Sequence, residues 1–163
     1  MIRVSAWRPV AGAAMAMVLL AASGSAQGVS AFAGLGGSWS GSGHIKLENG
    51  QREAIRCSAN YVPRGGGAAL GLSLRCASAS GRVELRASLE ARGSRVSGTW
   101  EERSYGVSGH VSGVASGGSL RLNFSGSLSG AMLVTTSGNT QSISVRTDTS
   151  ALQGVNVSLR RSN

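Results

Sequence analysis

The chain has 163 residues, 41% of them hydrophobic, and a formal net charge of +9. This length suits one domain that is large enough to bury a core, and it leaves little room for a second. The basic residues are almost all Arg and lie scattered along the sequence, which indicates a solvated surface. No specific nucleic-acid partner is therefore expected, and an anionic polymer of the cell envelope is the alternative partner.

The first 26 residues have the three parts of a secretory signal in the right order. Arg3 and Arg8 are basic, residues 10–22 form an apolar run too short to span a bilayer, and small residues lead to a cleavage site after Ala26. A second small-x-small site at 31–33 is the fallback. We therefore predict an exported protein, periplasmic or secreted, rather than a chain that begins with a buried helix.

Cleavage after Ala26 would leave 137 residues with a net charge of +7, because two arginines are removed. Residues 27–36 are predicted to be a flexible N-terminal segment, and residues 37–163 a single β-domain. In this domain apolar residues alternate with polar ones, and turns containing glycine recur about every ten residues, which is typical of all-β proteins.

Ten short strands are predicted from this alternation. They are 38–47, 51–62, 69–77, 82–90, 95–101, 105–114, 119–125, 130–137, 140–147 and 154–161. The simplest topology is an antiparallel meander that closes, or nearly closes, into a barrel and so removes its exposed edges. A β-sandwich is the alternative, and helices beyond the signal should be nearly absent.

Hairpin registers follow from the requirement that apolar residues lie opposite apolar residues. A three-residue loop at 48–50 satisfies this requirement, with Gly50 in the left-handed conformation. Two-residue turns at 79–80, 92–93, 116–117 and 138–139 predict these opposed pairs: Leu74 with Leu85, Leu89 with Val96, Val111 with Leu122, and Val134 with Ile143. The turn at 92–93 also sets Glu84 against Glu101, which is unfavourable.

These registers predict one buried, inward-facing set of apolar side chains. Its members are Leu70, Leu72, Leu74, Val83, Leu85, Leu89, Val96, Leu120, Leu122, Phe124, Val134, Ile143, Val145, Val157 and Leu159. Exposure of most of them would contradict the whole register scheme.

Cys57 and Cys76 are the two cysteines of the chain. A loop over 63–67 places them directly opposite each other on neighbouring strands, where a disulfide is geometrically feasible. Two cysteines in an exported chain most often pair, and we predict an intrachain disulfide.

Catalytic and metal sites are not predicted. His44 and His110 are the two histidines and fall on the polar face, and Asp148 is the single aspartate. Neither a nucleophile with its base nor a paired set of carboxylates emerges from these residues. We expect a protein that is not an enzyme and has no cofactor.

The predicted interior contains space beside large aromatic residues. Inward positions near Trp39 and Trp100 are occupied by glycine, namely Gly41, Gly43, Gly98, Gly109 and Gly113. One interpretation is a small apolar ligand pocket that includes Trp39, Trp100 and Tyr61. The other is a solid, narrow barrel in which glycine marks sharp bends or close backbone approach.

Residues 37–39, Gly-Ser-Trp, resemble the Gly-x-Trp motif of the calycins, which include lipocalins, fatty-acid-binding proteins, avidins and bacterial protease inhibitors. The resemblance implies a barrel in which a late Arg packs across the Trp. Arg161 is the matching residue, and Arg160 should face solvent. Separately, the segments GGSWSGSG, LRCAS and GNTQSISV resemble exported α-proteobacterial proteins, which implies a periplasmic location.

Three functional classes follow. The first is a non-enzymatic binding module of calycin-like architecture that holds a small apolar ligand or a protein partner of the envelope. The second is a structural or envelope-associated protein with a solid core. The third is an outer-membrane barrel, against which stand the short turns and the lack of aromatic girdles.

Overall fold

The computed structural model describes residues 30–149 and 152–162. The strands are β1 (Gly37–Leu47), β2 (Arg52–Arg64), β3 (Ala69–Ser78), β4 (Arg82–Arg92), β5 (Arg95–Glu102), β6 (Val107–Ser116), β7 (Ser119–Gly126), β8 (Gly130–Ser137), β9 (Thr140–Thr147) and β10 (Leu152–Arg161). Two short 3₁₀ turns, Ala33–Leu35 and Gly65–Gly67, accompany them. Within the described ranges no helix has the length and apolarity needed to cross a membrane.

The ten strands form one closed antiparallel barrel. Each strand pairs with the next along the chain, and β10 returns to pair with β1. The prediction of a closed meander is confirmed, and the sandwich alternative is not what the chain adopts. Closure satisfies the backbone hydrogen bonds of the first and last strands, which an open sheet would leave as free edges.

Several predicted hairpins have the observed register. The loops at 48–50, 79–80 and 138–139 give the expected pairing, including Leu74 opposite Leu85. Gly50 has a φ of 78°, which is the left-handed conformation expected for this loop. The hydrophobic alternation and the turn residues together therefore determined these registers.

Two predicted registers were wrong by two residues. The turns lie at 93–94 and 117–118 rather than one position earlier, because glycine takes the first central position of each turn. Gly93 and Gly117 have φ values of 62° and 56° there, as type I′ and II′ hairpins require. The observed opposed pairs are Leu89 with Gly98 and Val111 with Phe124.

The corrected register removes the unfavourable carboxylate pair. Glu101 lies opposite Arg86, and the Glu84 carboxylate lies within 3.5–3.8 Å of the guanidinium groups of Arg75, Arg86 and Arg103. A shift of two residues preserves which face each side chain points to, and so it changes charge partners without changing the core.

The core lies inside the barrel. Of the fifteen side chains predicted to face inward, all are buried or half-buried and belong to one apolar cluster. The outer face carries mostly Ser, Arg and Thr. This orientation is the reverse of an outer-membrane barrel, whose apolar face meets lipid.

Residues 30–36 pack across one end of the barrel and form what we call the plug. The side chain of Phe32 has no exposed surface, and Leu35 is 5% exposed. The Phe32 N–H donates to the Gly67 carbonyl in the β2–β3 turn. This part of the segment was expected to be flexible, but Phe32 and Leu35 extend the core beyond the first strand.

The inward glycines mark close backbone approach. A Cβ on Gly41 would meet the backbone of β10, with the Leu159 Cα at 2.9 Å, and one on Gly43 would meet the Val157 Cα at 2.7 Å. Both distances are shorter than any side chain tolerates. Gly41 and Gly43 therefore leave no space for a ligand. At these positions the structure favours the solid, narrow barrel over the ligand pocket.

Candidate functional site

The two ends of the barrel differ in how well the inner side chains are buried. At the plug end, the inner residues Trp39, Leu70 and Leu159 are at most 3% exposed. At the opposite end, nine inner apolar side chains stay half-buried, and we call them the apolar mouth. They are Ile45, Val83, Leu85, Val107, Phe124, Leu128, Met132, Val145 and Val155.

The plug end is held by a contact between the first and last strands. Trp39 and Arg161 are directly paired across β1 and β10, and the guanidinium carbon lies 4.4 Å from the centroid of the indole. Arg161 also donates hydrogen bonds to the carbonyls of Gly36 and Gly34, the latter at 2.7 Å. The indole N–H of Trp39 donates to the Leu35 carbonyl at 2.9 Å. Together these bonds fix the plug to both strands.

Replacing Arg161 with Ala should lower the free energy of unfolding by about 2–3 kcal/mol. The change removes a cation–π contact and two hydrogen bonds to carbonyls that would lose their charged donor. The shift should appear in thermal unfolding and in the fluorescence of Trp39. Arg160→Ala is the control, because Arg160 is exposed on the outer face. Equal effects of the two substitutions would contradict a role for the Trp39–Arg161 contact.

A buried polar contact at the plug end joins β2 to β9. The Tyr61 hydroxyl on β2 donates to the Gln141 side-chain carbonyl on β9 at 2.7 Å, and Gln141 in turn donates to Thr136 at 3.1 Å. Burial raises the pKa of Tyr61 to about 12, although the bond to Gln141 partly opposes this. Tyr61 also packs edge-to-face against Trp39, with ring centroids 6.4 Å apart.

Trp100 lies deeper than the mouth, on its floor. Its indole packs edge-to-face against Phe124 with a centroid distance of 6.1 Å, and the residue is 8% exposed. Its neighbours across β6 and β7 are Gly109 and Gly126, which face each other. Since these two positions have no side chains, the indole covers that part of the barrel wall.

The rim of the mouth contains one buried carboxylate, Glu102. Burial by itself would raise its pKa, but hydrogen bonds from the backbone N–H groups of Glu84, Ser104 and Tyr105 outweigh that effect and hold the pKa below its usual value. The three N···O distances are 2.7–2.9 Å. The bonds from Ser104 and Tyr105 fix the β5–β6 turn, and the bond from Glu84 ties that turn to β4, so we assign Glu102 a structural role.

Cys57 and Cys76 lie directly opposite each other on β2 and β3. Their Sγ atoms are 2.10 Å apart, at disulfide distance, and both residues are buried in the barrel wall. The pair therefore joins two neighbouring strands, and Cys76 lies directly opposite Val83 of the mouth.

The three aromatic residues predicted to line one ligand pocket do not lie together. Trp39 and Tyr61 pack against each other at the plug end, whereas Trp100 lies on the floor of the mouth. Among residues 30–149 and 152–162, no three His, Cys, Asp or Glu side chains are grouped closely enough to hold a metal ion. The mouth itself was missed, because sequence alternation shows which side chains face inward but not which end stays open.

A row of basic and apolar side chains crosses the outer face, and no sequence pattern predicted it. It passes over five strands from β4 to β8, with each residue opposite the next. We call these residues the arginine row: Arg92, Arg95, Val114, Arg121 and Leu133. Val114 and Leu133 are 43% and 41% exposed. Within the described residues no carboxylate lies within 4.0 Å of these three arginines.

A concavity of about 1040 Å³ lies at the plug end, between the plug and the turns that follow β2, β4, β6 and β8. Its walls are mostly Gly, Ser and Ala, and Leu35 and Leu120 are its only large apolar side chains. Small turn residues offer a ligand little contact area, which makes this end the weaker candidate.

Two solved structures share the fold. One is Rv2717c from M. tuberculosis, with a TM-score of 0.61 and 16% identity over 80% of this chain and 94% of that one. The other is the S-type phycobiliprotein lyase CPES from Guillardia theta, with a TM-score of 0.54 and 9% identity over 80% and 89% of the two chains. No protein-family model and no curated protein matches the sequence. The likeness therefore concerns the barrel fold alone. A barrel is also what the resemblance at residues 37–39 implied.

Proposed function

We propose that the protein is a non-enzymatic binding module that takes a small apolar ligand through the apolar mouth. The observation that carries this proposal is the unequal burial of the two barrel ends. Inner side chains at the plug end are covered by Phe32 and Leu35, whereas the nine residues of the mouth have no such cover among the described residues. A cluster of apolar side chains that remain partly accessible at one end of the barrel is the kind of surface that marks binding sites.

The mouth offers aromatic as well as aliphatic contact. Phe124 is one of its side chains, and it packs edge-to-face against Trp100 with ring centroids 6.1 Å apart. Leu128 and Met132 belong to the β7–β8 turn and the start of β8, and unbranched Met adapts to ligands of different shape. The cysteine pair at disulfide distance is consistent with export of the chain. We propose that the protein binds its ligand in the periplasm or outside the cell.

Fluorescence titration with the neutral apolar dye Nile red tests the proposal. Met132→Lys would place a charge inside the mouth and should weaken dye binding at least about tenfold, since each 1.4 kcal/mol is a factor of ten. Leu133→Lys is the matched control, because the neighbouring side chain points outward and is exposed. Native mass spectrometry of the purified protein should reveal any molecule retained from the cell.

Two outcomes would contradict the proposal. One is the absence of any dye binding by the natural chain. The other is a loss of dye binding in Ser94→Trp while Met132→Lys binds the dye as well as the natural chain. Because Ser94 lines the concavity at the plug end, that result would place the site there.

The arginine row favours a second candidate function, association with an anionic envelope surface. Strands lie about 4.8 Å apart, so the row extends roughly 19 Å across the barrel. Three guanidinium groups alternating with exposed Val114 and Leu133 match a surface that offers both phosphate groups and an apolar layer.

Sedimentation with lipid vesicles tests this candidate. Vesicles that contain phosphatidylglycerol should bind the natural chain, and phosphatidylcholine vesicles should not. Replacing Arg95 and Arg121 with Gln should abolish binding, whereas Arg75→Gln, whose guanidinium already faces Glu84, should not. Equal binding to both kinds of vesicle, or no loss in the double variant, would reject the candidate.

A further inference from the structure

Tyr105 is an exposed aromatic residue at the rim of the apolar mouth. Four large hydrophobic side chains are exposed in the described chain, and three of them lie on the outer face of strands: Val62, Val114 and Leu133. Tyr105 instead belongs to the β5–β6 turn and is 67% exposed, the highest value of the four. A single exposed apolar residue is common on protein surfaces, so the position of Tyr105 relative to the mouth decides its role.

The hydroxyl of Tyr105 lies on the inner side of this rim. It is 3.0 Å from the position that a Cβ on Gly81 would occupy, just before β4 begins. Val83 of the mouth lies two residues further along the chain. The residue paired with Gly81 across the turn is Ser78, which follows the buried Cys76 by two residues. Since side chains alternate along a strand, a Cβ on Gly81 would point into the barrel. The Tyr105 side chain therefore reaches from the β5–β6 turn to the start of β4 on the side of the mouth.

Hydrogen bonds hold the turn that carries Tyr105. The Glu102 carboxylate accepts bonds from the backbone N–H groups of Ser104 and Tyr105, at 2.9 and 2.7 Å. The Arg103 N–H donates to the Glu84 carbonyl at 2.9 Å, which extends the pairing of β5 with β4 into the turn. The backbone at Tyr105 is therefore fixed while its side chain stays exposed, so the ring can change rotamer without breaking these bonds.

The mouth lacks the cover that the plug provides at the other end of the barrel. Phe32 and Leu35 are buried over the plug end, whereas Val83 and Val107, which begin the strands on either side of Tyr105, stay half-buried. A phenol ring at this position can bury apolar surface of a ligand between itself and the side chains of the mouth, with its hydroxyl still in water.

We propose that Tyr105 closes the apolar mouth over a bound ligand and adds its ring to the binding surface. This inference rests on the proposed function and assigns the residue that retains the ligand. The ring is exposed in the free protein and becomes covered when a ligand lies between it and the mouth. A contact completed after the ligand has entered acts mainly on the rate of dissociation, which is where most affinity differences within one binding site arise.

Nitration of tyrosine by tetranitromethane tests the proposal on the natural chain. The chain has two tyrosines, and Tyr61 is the internal control because it is 5% exposed and burial raises its pKa to about 12. The reagent should therefore modify Tyr105 alone, as peptide mass spectrometry would show. With Nile red at about ten times its dissociation constant, nitration should slow about tenfold, because only the unoccupied fraction reacts. N-acetyltyrosinamide in the same solution should react at an unchanged rate.

Two substitutions separate the ring of Tyr105 from its hydroxyl. Tyr105→Ala should weaken Nile red binding about tenfold, chiefly through faster dissociation in stopped-flow measurements, whereas Tyr105→Phe should bind within about twofold of the natural chain. Leu133→Ala is the matched control, because it removes an exposed apolar side chain from the outer face. All three variants should melt like the natural chain, since both positions are exposed.

The outcomes distinguish this inference from the proposed function. An unchanged nitration rate with dye bound, or an unchanged affinity in Tyr105→Ala, would overturn the role of Tyr105 while leaving the apolar mouth in place. Absence of dye binding by the natural chain would overturn the proposed function as well.

Discussion

Replacing Phe32 with Ala should lower the free energy of unfolding by about 3–5 kcal/mol, the range for truncation of a fully buried Phe. For a domain of this size we expect the melting temperature to fall by roughly 10–20 °C. Phe32 has no exposed surface and covers the barrel interior beside Leu35. Its removal leaves a cavity that the barrel cannot close, because paired strands on all sides hold the wall in place.

Phe124→Ala is the matched control for this loss of stability. The chain has two Phe residues, and Phe124 is only half-buried at the mouth, so its truncation should destabilise less. The same argument bears on export. Cleavage after Ala33 would delete Phe32, whereas cleavage after Ala26 keeps it, so the mass of the exported chain should show an N-terminus that precedes Phe32. A stable Phe32→Ala variant, or an exported chain that lacks Phe32, would refute the role of the plug.

Replacing both Cys57 and Cys76 with Ala should lower the free energy of unfolding by about 3 kcal/mol. The bond closes a loop of about twenty residues, and in the chain-entropy model its absence frees the unfolded state. Denaturant unfolding of the natural and variant chains measures the difference. The reduced natural chain should resemble the variant.

The covalent bond itself is tested by thiol titration of the denatured, unreduced protein. No free thiol should be found. Two free thiols would show that the sulfurs, although close, are not joined in the exported protein. Stability that is unaffected by reductant would contradict the expected contribution of the bond.

Much of the fold was predictable because apolar and polar residues alternate along every strand. Alternation determines which face each side chain takes, as for the inward Leu74 and Val134, and the barrel followed from the pairing of each strand with the next. Turn positions were less certain, since 92–93 and 93–94 both preserve the inward faces. The preference of Gly93 for the first central position decides between them, and the charges of Glu84 and Glu101 already indicated the correct choice.

The candidate site was far less predictable, because it depends on what lies at each end of the barrel. Phe32 precedes the first strand and shows no alternation, so nothing in the sequence marked it as a core residue. Trp39 and Trp100 look alike as inward tryptophans, yet one is enclosed beneath the plug and the other lies on the floor of the mouth. The arginine row joins residues from separate hairpins, and only the corrected registers bring them into line.

The difference between the two ends of the barrel also determines which positions tolerate amino-acid substitution. Substitutions around Trp39, Phe32 and Arg161 alter the contacts that hold the first and last strands together, and a damaged chain would be lost to proteolysis before its binding was altered. Substitutions at the mouth, for example at Met132 or Val145, remove little buried area and leave the strand pairing intact. Under the proposed function, a lineage of such barrels would diverge in ligand choice at the mouth while the plug end stayed nearly constant, and a library of variants for new ligands should be restricted to the mouth.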